Sequence, residues 1–236
     1  MGITTKGNGR VVFGPRTSIV TDGLVFYIDP ANPESYVSPS TTTNSLVGGL
    51  TGSLINGTGF LTENNGVWDF DGLDDGIDIG TIVPDTGLTF NIWIKIGGAL
   101  GSRNYGNIIS NWLNSPNSAS HWWIGTHINN PDDIQVYFNG GLRFTILNQP
   151  LQTWRLLTIT HNGTNIIAYI NGTETNTGTS TLLPYTSLGV TSLGFDVNRN
   201  NYPFLGNIGV VQIYNRALTP EETLENYNAL KGRFGL

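Results

Sequence analysis

The segment WRLLTITHNGTNIIAYING, residues 154–172, decides the fold class because it is typical of a β-hairpin. Apolar and β-branched residues fill both halves, and the pair Asn162-Gly163 separates them. Asn-Gly favours hairpin turns because both residues tolerate a positive φ. A second pair, Asn171-Gly172, closes the segment. The pattern therefore predicts a strand, a turn, a second strand and a further turn.

The strand pattern continues outward from this segment. Residues 88–96 (LTFNIWIKI) alternate strictly and place five apolar side chains on one face. Leu24, Phe26 and Ile28 alternate in the same way. Such half-buried strands belong to antiparallel sheets that turn one face inward. Further Asn-Gly pairs, which predict more hairpin turns, occur at 56–57, 65–66 and 139–140.

One helix is predicted near the end of the chain. Thr219 is a suitable N-cap, Pro220 occupies the first helical position, and Glu222 follows three residues after the cap. Gly232 stands where such a helix ends. Three apolar side chains can share one face of it, namely Leu224, Tyr227 and Leu230.

Composition is consistent with a single all-β domain. A chain of 236 residues is long for one domain, but all-β sandwiches of this size occur as one unit. Only 12% of the residues are charged and 31 are glycine, which favours short strands and tight turns over long helices. Hydrophobic residues make up 38%, enough for a core between two sheets.

Charge and composition also exclude several functions. A net charge of −6 argues against nucleic-acid binding, which depends on Lys and Arg neutralising phosphates. No apolar run approaches the ~20 residues that span a bilayer, so no membrane partner is expected. The absence of cysteine excludes thiol catalysis and zinc sites built from thiolates. The first residues lack the apolar stretch of a secretory signal, so we expect a protein made in a cytoplasm.

Residues 1–21 differ from the rest and are predicted to form an N-terminal arm, with the folded domain spanning 22–236. Lys6, Arg10 and Arg16 make the arm basic, whereas the remainder holds 8 basic and 17 acidic residues. One interpretation is an irregular terminus without a role. The other is a contact element for an acidic partner surface, which includes a second copy of the chain.

Four segments in this order resemble one family: residues 23–36, 68–80 (WDFDGLDDGIDIG), 88–96 and 206–222. Together they resemble the laminin-G-like branch of the concanavalin A-like lectin/glucanase superfamily over roughly residues 23–231. The resemblance implies a two-sheet antiparallel jelly-roll sandwich with one short C-terminal helix. It also implies a carbohydrate-binding or adhesive role in many members and a structural calcium in some.

The opening segment and residues 214–236 resemble, more narrowly, virion structural proteins of tailed bacteriophages. This resemblance implies a structural or decoration protein located in the virion, with other virion proteins as partners. We expect a homo-oligomer, because proteins on a particle commonly repeat by symmetry. The alternative is a glycan-binding module of a phage fibre that recognises cell-surface glycans. Whether the protein lies on the capsid or the tail does not follow from the sequence.

Catalysis is not expected. Glucanase relatives carry a Glu-x-Asp-x-(x)-Glu pattern, which places carboxylates one strand-step apart, near the ~5–5.5 Å of a retaining glycosidase. The six Glu of this chain do not form that pattern. No Gly-x-Ser-x-Gly, His-Glu-x-x-His or phosphate-binding loop occurs either. A glycoside hydrolase with an unrecognised carboxylate pair is a third hypothesis, which an activity screen would test.

Five aspartates are concentrated in residues 69–78 and form a candidate calcium site, with Asp74 and Asp75 as the expected ligands. The spacing does not match an EF-hand loop, because Leu73 occupies a position that needs an oxygen ligand. The alternative is that these side chains bond their own backbone in tight turns. Relatives often have an Ile-Asp-Glu step in the last strand, where this chain has residues 208–210, Ile-Gly-Val.

Two tryptophans are candidate sugar-binding residues, because sugar rings stack their C–H faces on aromatic rings. Trp122 and Trp123 must point to opposite faces of a strand, so one of them is expected to be exposed. Trp112 lies in a stretch rich in Gly, Asn and Ser, which favours a loop position. We therefore predict Trp112 and Trp123 as ligand-binding residues. The alternative is that these indoles pack in the core or on a sheet surface.

Overall fold

The structure is a computed structural model that describes residues 3–6, 10–13, 18–83, 87–98, 105–113, 121–127, 129–181, 189–198 and 200–236. The strands are β1 Ile3–Lys6, β2 Arg10–Phe13, β3 Leu24–Ile28, β4 Thr42–Asn44, β5 Thr51–Ile55, β6 Gly59–Leu61, β7 Val67–Asp71, β8 Gly76–Asp78, β9 Leu88–Ile96, β10 Gly106–Ser110, β11 Trp122–Thr126, β12 Ile134–Phe138, β13 Gly141–Ile146, β14 Trp154–His161, β15 Asn165–Ile170, β16 Thr173–Thr179, β17 Ser192–Leu193 and β18 Leu205–Tyr214. The helices are α1 Pro220–Leu230 and two 3-10 helices, Glu63–Asn65 and Lys231–Phe234. None of the helices within these ranges has the length and apolar content needed to cross a membrane.

Two antiparallel sheets of eight strands form a sandwich. The front sheet has the order β13-β12-β11-β10-β17-β8-β5-β4. The back sheet has the order β16-β15-β14-β9-β18-β7-β6, and β3 pairs with the second half of β18. This architecture and the single short α-helix confirm the fold class predicted from the sequence.

The hairpin predicted at residues 154–172 is present as β14 and β15, with Leu157 opposite Ile170. At the first turn, the side-chain oxygen of Asn162 accepts hydrogen bonds from the backbone N–H groups of residues 164 and 165. At the second turn, Asn171 and Gly172 have φ values of 54° and 77°, as the Asn-Gly pattern predicts. Turn chemistry and strand pattern therefore agree in this segment.

The main core lies between the sheets and consists of the alternating apolar residues of both. On the back sheet, Phe90, Ile92 and Ile94 of β9 face this core. β9 differs from the prediction in one respect: Asn91 and Trp93, on its other face, are also fully buried. The strand is covered on both sides rather than on one.

The cover on the outer face of the back sheet comes from the C-terminal residues. The ring of Phe234 stacks on Trp93 with centroids 4.2 Å apart, and Tyr227 stacks on it at 5.9 Å. Val67, Trp154, Leu156 and Val210 complete this second apolar cluster. Without this cover, the indoles of Trp93 and Trp154 would be exposed to water, which is unfavourable. The C-terminal helices therefore complete the fold.

The predicted start of α1 is confirmed. The hydroxyl of Thr219 accepts a hydrogen bond from the N–H of Glu222, and the Glu222 carboxylate accepts one from the N–H of Thr219. α1 ends at Leu230 with Lys231 as its C-cap, directly before Gly232 as predicted. The sequence did not predict the 3-10 helix that follows, which ends at Gly235 with a φ of 76°. Leu224 is 46% exposed and does not share the buried face.

The predicted arm, residues 1–21, is described in part. β1 and β2 pair with each other as a sheet of their own, a hairpin that the glycine-rich sequence did not indicate. Val20 is buried, and its N–H donates to the side-chain oxygen of Asn226 while its carbonyl accepts from the hydroxyl of Tyr214. Arg16 lies outside the described residues.

Candidate functional site

Within the described ranges, the outer face of the front sheet carries aromatic side chains and is covered by no helix. In β11, Trp122 and Ile124 point into the core, so Trp123 between them points outward. Tyr137 of β12 is the direct cross-strand neighbour of Trp123 and shares its face. The strand register therefore places one indole and one phenol side by side on the outer surface of the front sheet.

A cavity of about 210 Å³ lies on this face. Its described lining is one glycine and five aromatic residues: Tyr105, Trp112, Trp123, Tyr137, Gly140 and Tyr202. The structure thus brings together the two tryptophans that the sequence singled out. We refer to this space as the aromatic cavity.

The rings of the aromatic cavity pack edge-to-face around Trp123. Its centroid lies 5.6 Å from those of Tyr105 and Tyr137 and 6.4 Å from that of Tyr202, with interplanar angles of 86°, 74° and 66°. Trp112 is half-buried and lies 6.1 Å from Tyr137. This packing leaves Trp123 only 4% exposed, so the expectation that one of the paired indoles is exposed is wrong.

Gly125 determines how the indole of Trp123 lies. It follows Trp123 by two residues on the same face of β11, and a Cβ built there would clash with the indole ring. It would also clash with the backbone carbonyl of Gly106 on the neighbouring strand. Glycine at this position therefore allows the ring to lie flat along the strand.

Several buried polar atoms surround the aromatic rings without hydrogen-bond partners in the described part of the chain. They are Nε1 of Trp123, Oγ of Ser110, Oε1 of Gln135 and Oδ1 of Asn107. Ser110 is the cross-strand neighbour of Trp123, and Gln135 and Asn107 both lie opposite Gly125. Buried polar atoms are normally satisfied by ordered water or a ligand, so this face presents hydrogen-bonding capacity beside apolar rings.

The phenol of Tyr137 is a neutral hydrogen-bond donor in the aromatic cavity. Burial, and secondarily the neighbouring Tyr105, raises the pKa of Tyr137 above its ordinary value. The hydroxyl therefore stays protonated at neutral pH and can both donate and accept a hydrogen bond. Flat apolar surface next to phenol hydroxyls suits a ligand with C–H faces and hydroxyl edges.

The sequence identified Trp112 and Trp123 but missed Tyr105, Tyr137 and Tyr202. The position of Tyr137 follows from the strand register, once β11 and β12 are known to pair. Tyr105 precedes β10, and Tyr202 lies between β17 and β18. Neither shows a sequence pattern that would place it here, because their positions depend on how distant loops meet.

Three aspartates come together at the turn between β7 and β8. Carboxylate oxygens of Asp71, Asp74 and Asp75 all lie within 4.8 Å of one another, so Asp71 joins the two predicted ligands. We call this group the acidic triad. The side chain of Asp78 instead accepts a hydrogen bond from the N–H of Gly80 and stands apart from the triad.

Both interpretations of the aspartates have support in this geometry. Asp75 accepts a hydrogen bond from the N–H of Asp71 at 3.0 Å, and Asp71 accepts one from the N–H of Leu73 at 2.7 Å, as tight turns require. The side chain of Asp74 has no hydrogen bond of this kind among the described residues. Three converging carboxylates would supply part of the six to eight oxygens that calcium prefers.

The electrostatics of the triad favour a cation. Burial chiefly raises the pKa of Asp75 to about 6, opposed by its hydrogen bond from the N–H of Asp71 and reinforced by the nearby carboxylates of Asp71, Asp74 and Asp69. An ionised Asp75 is therefore costly in the protein alone. A bound divalent cation would offset that cost.

Comparison with known proteins gives one family match. The model of the concanavalin A-like lectin/glucanases superfamily matches residues 71–223. No curated protein matches the sequence.

Solved structures show the same fold at low identity. A Trypanosoma rangeli sialidase mutant displaying trans-sialidase activity is similar with a TM-score of 0.70 and 11% identity, over 93% of this chain. Domain 4 of AbnA, a GH43 extracellular arabinanase from Geobacillus stearothermophilus solved with arabinotriose, has a TM-score of 0.63 and 18% identity, over 86% of this chain and 98% of that domain. The receptor binding domain of botulinum neurotoxin C/D mosaic serotype has a TM-score of 0.64 and 16% identity, over 88% of this chain and 51% of its own.

The chain spans only 35% of the length of that sialidase. At such identities the likeness concerns the fold, and residue roles do not transfer.

Proposed function

The chain belongs to the concanavalin A-like lectin/glucanases superfamily, and on that premise we propose that it binds a carbohydrate in the aromatic cavity of the front sheet. The observation that carries the proposal is the convergence of two tryptophans and three tyrosines on one cavity of about 210 Å³. Trp112 and Trp123, the two tryptophans predicted from the sequence to bind a ligand, both line this cavity.

The chemistry of the aromatic cavity matches a sugar ring. Aromatic faces accept the C–H surface of a pyranose or furanose, and phenol hydroxyls pair with its hydroxyl groups. The likeness to an arabinanase domain solved with arabinotriose supports the proposal at the level of the fold.

The proposed role is binding without hydrolysis. The described residues that line the aromatic cavity include no Asp or Glu. Most glycosidases use two carboxyl groups that flank the scissile bond, ~5–10 Å apart depending on the mechanism. The acidic triad lies at the β7–β8 turn and does not line this cavity. An activity screen on aryl glycosides and polysaccharides should therefore show no turnover.

The test replaces Trp112 by alanine. Trp112 is half-buried, so its removal should leave the fold intact while taking away one aromatic wall. We expect glycan affinity, measured by calorimetry on a ligand found by array screening, to fall about 30-fold, since a central aromatic contact contributes about 2 kcal/mol.

The matched control is Tyr227→Ala, which removes a half-buried aromatic ring from the opposite face of the sandwich. It should lower the free energy of unfolding but leave glycan affinity unchanged. If Trp112→Ala and Trp123→Ala both bind the glycan as the wild type does, the aromatic cavity is not the site.

We further propose that the protein is a structural or decoration protein of a bacteriophage particle, attached through residues 1–21. This proposal is supported by the resemblance of residues 23–36 and 214–236 to phage virion proteins, and by the β1–β2 hairpin, which forms a sheet separate from the sandwich. Its partners would be other virion proteins and further copies of the chain, and its location the virion. A particle component with an aromatic cavity could bind cell-surface glycans as well, so the two roles are compatible.

Density-gradient sedimentation of lysate from the native source tests the particle proposal. The protein should travel with large particles at a fixed stoichiometry, and a variant lacking residues 1–17 should not attach, although it retains Val20 and its hydrogen bonds to the sandwich. A protein that remains in the light fractions would contradict the virion role. If the variant lacking residues 1–17 still attaches to particles, these residues are not needed for attachment.

A further inference from the structure

A second cavity opens at the edge of the sandwich, between β5 of the front sheet and β6 of the back sheet. Its volume is about 270 Å³. The described lining combines apolar and hydroxyl side chains: Tyr36, Ser38, Pro39, Ser40, Thr41, Leu54, Gly57, Thr58 and Phe60. We call it the edge cavity. It shares no described residue with the aromatic cavity, and in the front sheet β10, β17 and β8 separate β5 from β11.

Tyr36 gives the edge cavity a buried hydrogen-bonding group. The residue is only 6% exposed, and its ring is fixed by Phe60 and Trp68, with centroids 5.4 Å and 6.0 Å away. Its hydroxyl donates no hydrogen bond to the described residues and is not one of the fully buried atoms, so it is open to the cavity that Tyr36 lines. A polar group in that position needs a partner in the cavity, whether water or a ligand.

Two further hydroxyls of the lining, those of Thr58 and Ser40, are held in place by the backbone. Thr58 Oγ1 donates to the carbonyl of Gly76 at 2.8 Å, and Ser40 Oγ donates to the carbonyl of Thr42 at 2.9 Å. Each of these oxygens keeps lone-pair capacity for an incoming donor. Leu54 and the ring of Phe60 supply an apolar wall on the same cavity. The lining therefore offers a hydroxyl with unused capacity, fixed acceptors and one flat apolar surface.

The negative charge near the edge cavity determines which class of ligand is favoured there. No charged side chain is among the described lining residues, but the acidic triad lies close to the cavity through Gly57. A Cβ built on Gly57 would be 4.0 Å from a carboxylate oxygen of Asp75. The Asp75 carboxylate at this distance from a lining residue, with Asp71 and Asp74 beside it, disfavours a carboxylate or phosphate ligand by Coulomb repulsion.

We propose that the edge cavity is a second binding site, separate from the aromatic cavity, for an uncharged hydroxyl-rich ligand such as the terminal residue of a neutral glycan. Tyr36 is the ligand-contacting donor in its wall, and the acidic triad excludes acidic sugars from it. Because the two cavities share no lining residue, the edge site does not depend on the function proposed for the aromatic cavity.

NMR titration of the ¹⁵N-labelled protein tests the edge site directly. The probes are D-galactose, D-glucose and L-arabinose, with N-acetylneuraminic acid as the anionic comparator. At least one neutral sugar should shift the backbone amides of residues 36–41 and 54–60, with a millimolar Kd, and the anionic sugar should not. Amides around Trp123 report on the aromatic cavity in the same spectra, so the two sites succeed or fail separately.

Tyr36→Phe removes only the hydroxyl. We expect it to raise the Kd measured from the shifts at residues 36–60 about fivefold, which corresponds to the loss of one neutral hydrogen bond. Tyr27→Phe, which removes a phenol hydroxyl from the back of the sandwich, should leave them unchanged. The proposal is overturned if none of the three neutral sugars shifts these amides, if N-acetylneuraminic acid shifts them equally, or if Tyr36→Phe binds as the wild type does.

Discussion

At the scale of single residues, Trp123 shows that a side chain can be packed among other rings and still line a cavity. Its ring is 96% buried by Tyr105, Tyr137 and Tyr202, yet it forms a wall of the aromatic cavity. The sequence could assign it to a strand and to one face by alternation with Trp122. It could not show the burial, because two of the three covering rings come from loops about 20 and 80 residues away in sequence.

The acidic triad predicts a stabilising response to calcium. We expect calcium to raise the melting temperature of the wild type, with about 2.7 kcal/mol of stabilisation at a concentration of 100 Kd. Asp74→Asn should abolish the response without destabilising the free protein, because the Asp74 carboxylate makes no hydrogen bond among the described residues. Asp78→Asn, which lies outside the triad, should keep the response. Scanning calorimetry with calcium and with chelator decides between a cation site and turns alone.

His161 predicts a loss of stability in acid. It is 1% exposed, its Nδ1 accepts a hydrogen bond from the N–H of Gly163, and burial lowers its pKa to about 4. The unfolded chain takes up a proton near pH 6.5, whereas the folded protein does so only near pH 4. The contribution to the free energy of unfolding is therefore complete above pH 6.5 and is lost as the pH falls towards 4.

The size of this effect is about 3 kcal/mol between pH 7.5 and 4, from a pKa difference of about 2.5 units. His161→Asn keeps an acceptor for Gly163 but does not titrate, so it should lose less stability on acidification than the wild type. Urea denaturation at pH 7.5 and 4.5 measures both proteins. Equal losses in the two would show that His161 is not the group responsible.

At the scale of elements, the sequence predicts the strands better than the distant residues that cover them. The alternation in residues 88–96 identifies β9 and its core-facing side chains correctly. It does not reveal that Trp93 is also buried, because the covering ring of Phe234 lies 141 residues further along the chain. The capping residues of α1 are local and were predictable, whereas its continuation as a 3-10 helix depends on contacts with the back sheet.

Arg233 fastens this C-terminal element to the sandwich. Its guanidinium donates to the Asp29 carboxylate and to the carbonyls of Asn64 and Gly66, each at 2.7 Å. Asp29 is 8% exposed, so Arg233→Ala would leave a buried carboxylate without its ion-pair partner. We expect a loss of about 3 kcal/mol in the free energy of unfolding. Lys231→Ala, on the same 3-10 helix, should cost less than about 1 kcal/mol, and urea denaturation of both variants checks the difference.

At the scale of the whole molecule, the two outer faces of the sandwich differ in what covers them. The back face is closed by residues 219–236, while the front face carries the aromatic cavity. Removing residues 219–236 should expose Trp93, Trp154 and Leu156 together, which creates an apolar patch typical of aggregating proteins. Size-exclusion chromatography should show soluble aggregates or no recoverable protein. A monodisperse truncated chain would show that the back sheet does not need its cover.

The hydrogen bonds that hold Val20 also set an orientation. Val20 is joined to Tyr214 and Asn226, so residue 20 is attached on the side of the sandwich opposite the aromatic cavity. A partner that binds residues 1–21 would therefore hold the domain on its back-sheet side and leave the aromatic cavity facing away from that partner. Many copies anchored in this way would present many identical aromatic cavities on one surface. Weak individual contacts of these cavities with a glycan-coated surface would then add up to strong multivalent binding.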